Sequence, residues 1–210
     1  VMLKRARVCA WAVSALFLMA APAESFVLIS EVLADPPSIG GDANQDGIIS
    51  SSGDEFVELY NVSEDQVDLV GWSIHDALAE RHVFGAGSII GPWSTVVVFG
   101  GSPALFAAPS WYKASNGGLN LNNTGDIARL YDPQKTLIDE FRFGAEGGRD
   151  VSLIRVSPRY DAKVTVSLGE AFSPGRTDYP LSMAVPEPAT WSLFIMAFSL
   201  AGGRLRKSNS

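Results

Sequence analysis

Cysteine is almost missing from this chain. The only one, Cys9, lies in the N-terminal apolar stretch, so residues 24–210 hold no disulfide framework and no thiolate metal site. Arg7 and Val8 precede Cys9, which is not the small, apolar setting of a lipidated cysteine. Histidine is nearly absent too, with His75 and His82 the only two and no helix-borne pair. The chain has no nucleophile elbow and no glycine-rich phosphate loop. Neither terminal apolar run, residues 8–21 or 189–203, reaches the roughly 20 residues of an ordinary membrane-spanning helix. Between these runs no long stretch repeats its apolar residues at helical spacing. Cations are scarce there as well. Residues 24–187 carry 23 acidic and 10 basic side chains, a net of −13 that the whole-chain value of −7 hides. Such a surface repels phosphate backbones, which argues against nucleic acid as the main partner. It suits divalent cations, although solubility alone also explains it.

The two ends carry targeting signals. Lys4, Arg5 and Arg7 precede the apolar run 8–21, and Ala21-Pro22-Ala23 is an A-x-A cleavage site. Residues 1–23 therefore read as a secretory signal peptide, removed after Ala23. At the other end Pro186, Glu187 and Pro188 stand before the uncharged run 189–203, and Arg204, Arg206 and Lys207 follow it. A helix over 189–203 spans roughly 22 Å, a short crossing of a hydrocarbon core of about 30 Å. The basic residues keep to the cytoplasmic side, and the two prolines place the helix start after them. This order resembles the PEP-CTERM sorting signal read by an exosortase. The resemblance implies a protein anchored in the inner membrane by this helix, then passed to the cell surface or extracellular matrix. It also implies the association with exopolysaccharide that marks the class. The alternative is a tail anchor that is never cleaved.

Residues 24–180 form one domain, 181–188 a linker with the sorting motif, and 204–210 a basic tail. Short β-rich runs fill the domain: 26–33, 54–61, 71–76, 81–84, 94–99, 127–131, 136–142 and 152–156. The VVVF run (96–99) is apolar on both faces, as a central strand should be. The DPQK segment (132–135) is a turn, and 104–108 is long enough for one helical turn. Many short strands separated by turns indicate an all-β antiparallel sandwich.

Several segments then carry a family likeness: LISEVLADPP (28–37), DEFVELYN (54–61), VDLVGWSIHD (67–76), HVFGAGSIIGPWSTVVVFG (82–100) and LNNTGDIARLYDPQKTLIDEFRFG (119–144), with SLIRV and FSPGRTDYP closing it. Over residues 26–180 this order resembles the lamin-tail domain, which implies an immunoglobulin-like sandwich. Trp72 is expected in its core. The SPGR segment (173–176) reads as a terminal turn clamp.

One segment carries the chemistry of a site. In GDANQDGIIS (41–50), oxygen side chains fall at Asp42, Asn44 and Asp46, and Gly47 holds the sixth position. This is the first half of an EF-hand calcium loop, with the Ile48 carbonyl and Ser50 as further ligands. Position twelve is Gly53 rather than glutamate, so Asp54 is expected to serve from one residue later. The reading is a weak Ca2+ loop grafted between strands. The alternative is an acidic turn that holds no ion.

Other patterns are weaker. His75 and His82 near Asp76 permit a hydrolase, but strand-face histidines explain them as well. Asn61 and Asn122 begin glycosylation-type triplets that also read as turn residues. Trp93, Trp111 and Tyr112 offer an aromatic patch for sugar stacking, or core packing. The reading reached is a non-enzymatic binding or structural module of the cell envelope. Its alternatives are a secreted hydrolase with an unrecognised site and a calcium-assisted nucleic-acid or polysaccharide binder.

Overall fold

The structure, a computed structural model, describes residues 27–104, 110–155, 164–166 and 170–176. The expected signal segment, the expected sorting tail and all but the first residue of the expected helical turn lie outside these. Among the described residues no helix is long and apolar enough to cross a membrane.

Twelve strands and one 3-10 turn make up the described fold. In chain order they are β1 (Val27–Leu33), β2 (Phe56–Asn61), β3 (Val67–Asp68), β4 (Ser73–His75), β5 (Glu80–Val83), β6 (Ile89–Ile90), β7 (Thr95–Phe99), β8 (Trp111–Lys113), β9 (Asp126–Tyr131), β10 (Leu137–Phe143), the turn Ala145–Gly147, β11 (Leu153–Arg155) and β12 (Val164–Val166). One sheet runs β12-β11-β1-β2-β7-β8 and the other β10-β9-β4-β5, while β3 and β6 pair apart as a two-stranded ribbon. All pairings are antiparallel except β7 with β8, which is parallel and corrects the purely antiparallel expectation. The chain crosses from the end of β7 to the start of β8 by residues 100–110 instead of turning back in a hairpin. Sequence reading passes over β3, β6, β8 and β12, which are two or three residues long and too short to show alternation.

The main core lies between the sheets. Ile29, Val57, Leu59, Val96 and Val98 of one sheet meet Ile74, Ala128, Leu130 and Phe141 of the other, and Trp72 joins them. Strands β1 and β2 are buried along their whole length. A second, smaller cluster explains this. Leu33, Phe56, Val97 and Phe99 point to the outer face, where Ala43, Trp111 and Phe172 cover them. A strand buried on both faces reads as a continuous apolar run, which is why the VVVF run of β7 was legible.

Charged residues interrupt these apolar strands, and each has a fixed job. Asp139 on β10 and Arg155 on β11 form a 2.8 Å ion pair, both almost fully buried. Arg155 Nε donates to the Ile29 carbonyl at 2.8 Å, and the Ile29 amide donates to Asp139 at 2.7 Å. The pair therefore pins the two sheets together across the side of the sandwich. Burial pushes the Asp139 carboxyl up, against the opposing pull of Arg155.

Candidate metal centre

The long connections gather at one end of the sandwich. They run from β1 to β2, β7 to β8 and β8 to β9, beside the short β4–β5 turn. Hydrogen bonds tie them to one another. Asn123 donates to Asp35 at 2.7 Å, the Leu121 amide to Glu55 at 3.3 Å and the Asn116 amide to the Arg81 carbonyl at 3.0 Å.

The loop 42–54 is part of this end. Its oxygen side chains first organise their own backbone, as Asx turns do. Asn44 Oδ1 accepts from the Asp46 amide at 3.0 Å, and Asp46 Oδ1 from the Ile48 amide at 2.8 Å. Asp42 Oδ2 accepts from the Gly47 amide at 3.0 Å, with Gly47 at φ +87°, a conformation that favours glycine. Asp54 closes the loop: one oxygen accepts from the Asn44 amide at 3.1 Å and the other from the Ser50 amide at 2.7 Å. Asp54 is fully buried, and burial raises its pKa against these bonds. Ser50 Oγ accepts from the Gly53 amide at 2.9 Å, so Ser50 also faces the loop interior. One atom stands out. Asp42 Oδ1 is shielded from solvent and has no hydrogen-bond partner.

The loop is locked to the β7–β8 crossover. The Gly101 amide donates to the Gly53 carbonyl at 2.7 Å and the Ala104 amide to the Asn44 carbonyl at 3.0 Å. A Cβ on Gly101 would sit 2.9 Å from Gly53 Cα, so the two backbones touch. Among the described residues no three His, Cys, Asp or Glu side chains cluster as a ready-made metal site. Any cation here would draw on Asn44, Ser50 and backbone carbonyls as well as carboxylates.

A second polar network, not foreseen from the sequence, surrounds Asp76. Arg81 pairs with it through Nε at 2.8 Å and also through Nη2. Burial opposes the Asp76 charge, but Arg81 and the amides of Ala79 and Leu78 hold its pKa below the usual carboxylate range. Asp126 accepts from the Ala77 amide at 3.0 Å and the Asn122 amide at 2.9 Å. Glu55 has less support, and burial pushes its pKa up to about 8. On the outer sheet face Glu31 and Glu58 are buried and accept from the amides of Ser173 and Gly175, at 2.8 and 2.7 Å. The signal for such groups is a charged residue inside an apolar strand, as in the VLISEVL of β1 and the FVELYN of β2.

The remaining sequence candidates separate. His82 is buried in the core beside Phe84, 4.5 Å between ring centroids, and neither ring nitrogen has a hydrogen-bond partner. His75 faces outward, its Nε2 3.1 Å from Ser73 Oγ and 3.7 Å from Glu80. Ser73 is fully buried, and one imidazole nitrogen faces both neighbours, so no relay from acid through base to nucleophile is set up. Trp111 and Tyr112 do not form a patch with Trp93. Strand alternation sends Trp111 to the outer cluster and Tyr112 to the inter-sheet core, while Trp93 sits in the turn before β7. Asn61 is buried and bonds the carbonyls of Asp65 and Gly91, at 2.7 and 2.9 Å, and Asn122 caps a turn through Thr124.

No curated protein matches the chain. The family model described as Lamin Tail Domain matches residues 20–145. That span takes in β1 to β10 and stops before β11, β12 and the segment 170–176. The all-β sandwich, its loop end and this match agree: the chain belongs to the lamin tail domain family.

Proposed function

We propose that this protein is an exported bacterial surface module whose sandwich binds or builds rather than catalyses. The observation that carries this is the use made of its buried carboxylates. Glu31, Asp54, Glu58, Asp76, Asp126 and Asp139 each accept bonds from backbone amides, and two of them also pair with arginine. Groups that hold loops in this way are engaged in architecture. The signal segment ending at Ala23 supports export. The tail of Pro186, Glu187, Pro188, the apolar run and Arg204, Arg206 and Lys207 supports sorting by an exosortase toward the cell surface, with exopolysaccharide as the partner class.

Calcium fits the loop 42–54. Asp42 Oδ1 is a shielded carboxylate oxygen with no hydrogen-bond partner, which is what a cation would satisfy. Asp42, Asn44, Asp46, the Ile48 carbonyl, Ser50 and Asp54 would hold it, and the ion would staple the loop against the crossover. Without a bidentate glutamate the affinity belongs to the weak extracellular range, on the order of 10⁻⁴–10⁻³ M.

The export reading is tested by producing the full chain in a bacterium that has an exosortase, then measuring the intact mass of the surface fraction. A product that begins at Glu24 and ends near residues 186–188 is expected. A chain that keeps residues 1–23 and stays in the cytosol would contradict it. A product that keeps 204–210 in the membrane pellet would leave a plain tail anchor.

A further inference from the structure

We propose that residues 170–176 are a latch that sets how far the sandwich stands from the membrane. The proposal rests on the membrane-tail reading above. The segment lies beyond the family match yet is stitched across the six-stranded sheet. The Ala171 carbonyl accepts from the Ser152 amide at 2.7 Å, just before β11. Phe172 fills the outer cluster beside Leu33, Phe56 and Phe99. The Ser173 amide and hydroxyl both donate to Glu31 at 2.8 Å, and the Gly175 amide donates to Glu58 at 2.7 Å. Hydrogen bonds to buried carboxylates are among the stronger ones.

The local sequence builds this shape. Pro174 and Gly175 occupy the middle of a turn closed by the Arg176 amide on the Ser173 carbonyl at 3.1 Å. Gly175 has φ +78°, as the third residue of a type II turn requires. A Cβ on Gly175 would come within 3.1 Å of Trp111 Nε1, so only glycine leaves room beside that ring. Glu170 and Arg176 pair across the two ends of the segment.

Reach follows from chain length. From Arg176 to Ala189, the first residue of the apolar run, there are 13 residues, an extended span of at most about 45 Å. With the latch unseated the last tied residue is Val166 of β12, 23 residues from Ala189, and the span rises to about 80 Å. A seated latch therefore keeps the sandwich in a layer closer to the bilayer.

The test uses the exported form with its tail, residues 24–210, in lipid vesicles, with a donor dye on Leu78→Cys and an acceptor dye in the lipid. Leu78 is 89% exposed, and the chain has no cysteine besides Cys9. Gly175→Val unseats the latch, and trypsin cleavage after Arg176 reports it, with about tenfold faster cutting expected. Energy transfer to the lipid should then fall, because the r.m.s. reach of the tether grows about 1.3-fold. Phe172→Ser serves as the second variant if Gly175→Val melts as an unfolded chain. Faster cleavage with unchanged transfer would overturn the latch alone. A chain that fails to sediment with vesicles would overturn the membrane-tail reading and the latch with it.

Discussion

Glu55 and His82 are both buried ionisable groups in the neutral state, and they tilt stability in opposite directions with pH. The folded-state pKa of Glu55 is raised from 4.5 to about 8, so between these values the folded chain holds a proton that the unfolded chain has released. Its contribution is complete below about pH 4.5 and is lost as pH rises through 8. Glu55→Gln, neutral at every pH, should melt close to the parent at pH 5 and above it at pH 8.5, by about 1–3 kcal/mol. His82 runs the other way. Its pKa is lowered from 6.5 to about 4, so the unfolded chain binds more protons in that window and stability falls as pH drops through it. Thermal melts of His82→Phe between pH 6.5 and 4 should show a shallower acid loss than the parent. An equally steep loss would mean that the ring finds a proton-accepting partner on acidification. Neither group could be placed from sequence, because burial of one side chain depends on which face of a strand the partner sheet covers.

At the scale of elements, the pin between β10 and β11 decides how the two sheets hold together. Removing one member leaves a buried charge without its partner, so Arg155→Met or Asp139→Asn alone should cost about 3–5 kcal/mol in denaturant unfolding. The double replacement should cost clearly less than the sum. Additive losses would mean that the two residues act independently. The longer strands were readable because their apolar residues fill both faces or alternate, as in β7 and β9. The two- and three-residue strands were not, since Trp111-Tyr112-Lys113 carries no period and owes its pairing to the close approach of β7. The same limit applied to the aromatic trio. Composition marks Trp93, Trp111 and Tyr112 as neighbours in type, but the pleat sends two of them to opposite faces of one strand.

For the whole molecule, the lamin-tail likeness was legible in the order of its segments, and the family match over residues 20–145 agrees with that order. The match ends earlier than residue 180. The chain continues the fold past it with β11, the Arg155 pin and the turn on Glu31 and Glu58. The clamp-like character of SPGR followed from its turn chemistry, but its anchors did not, because Glu31 and Glu58 lie more than 100 residues away along the chain. The acidic loop was readable by spacing alone. Its closure onto the β7–β8 crossover required the fold, because the backbones at Gly53 and Gly101 meet only there. At this scale, the proposed cation would add a brace at residues 42–54 to a molecule whose carboxylates already brace its loops. The most direct test is a melting curve of the full chain in calcium and in chelator, beside Asp42→Ala with Asp46→Ala. At calcium about 100-fold above the dissociation constant, a bound ion adds roughly 2.7 kcal/mol of stability, and the double variant should show no gain. Equal melting in calcium and chelator would contradict it, and so would an equal calcium gain in the variant.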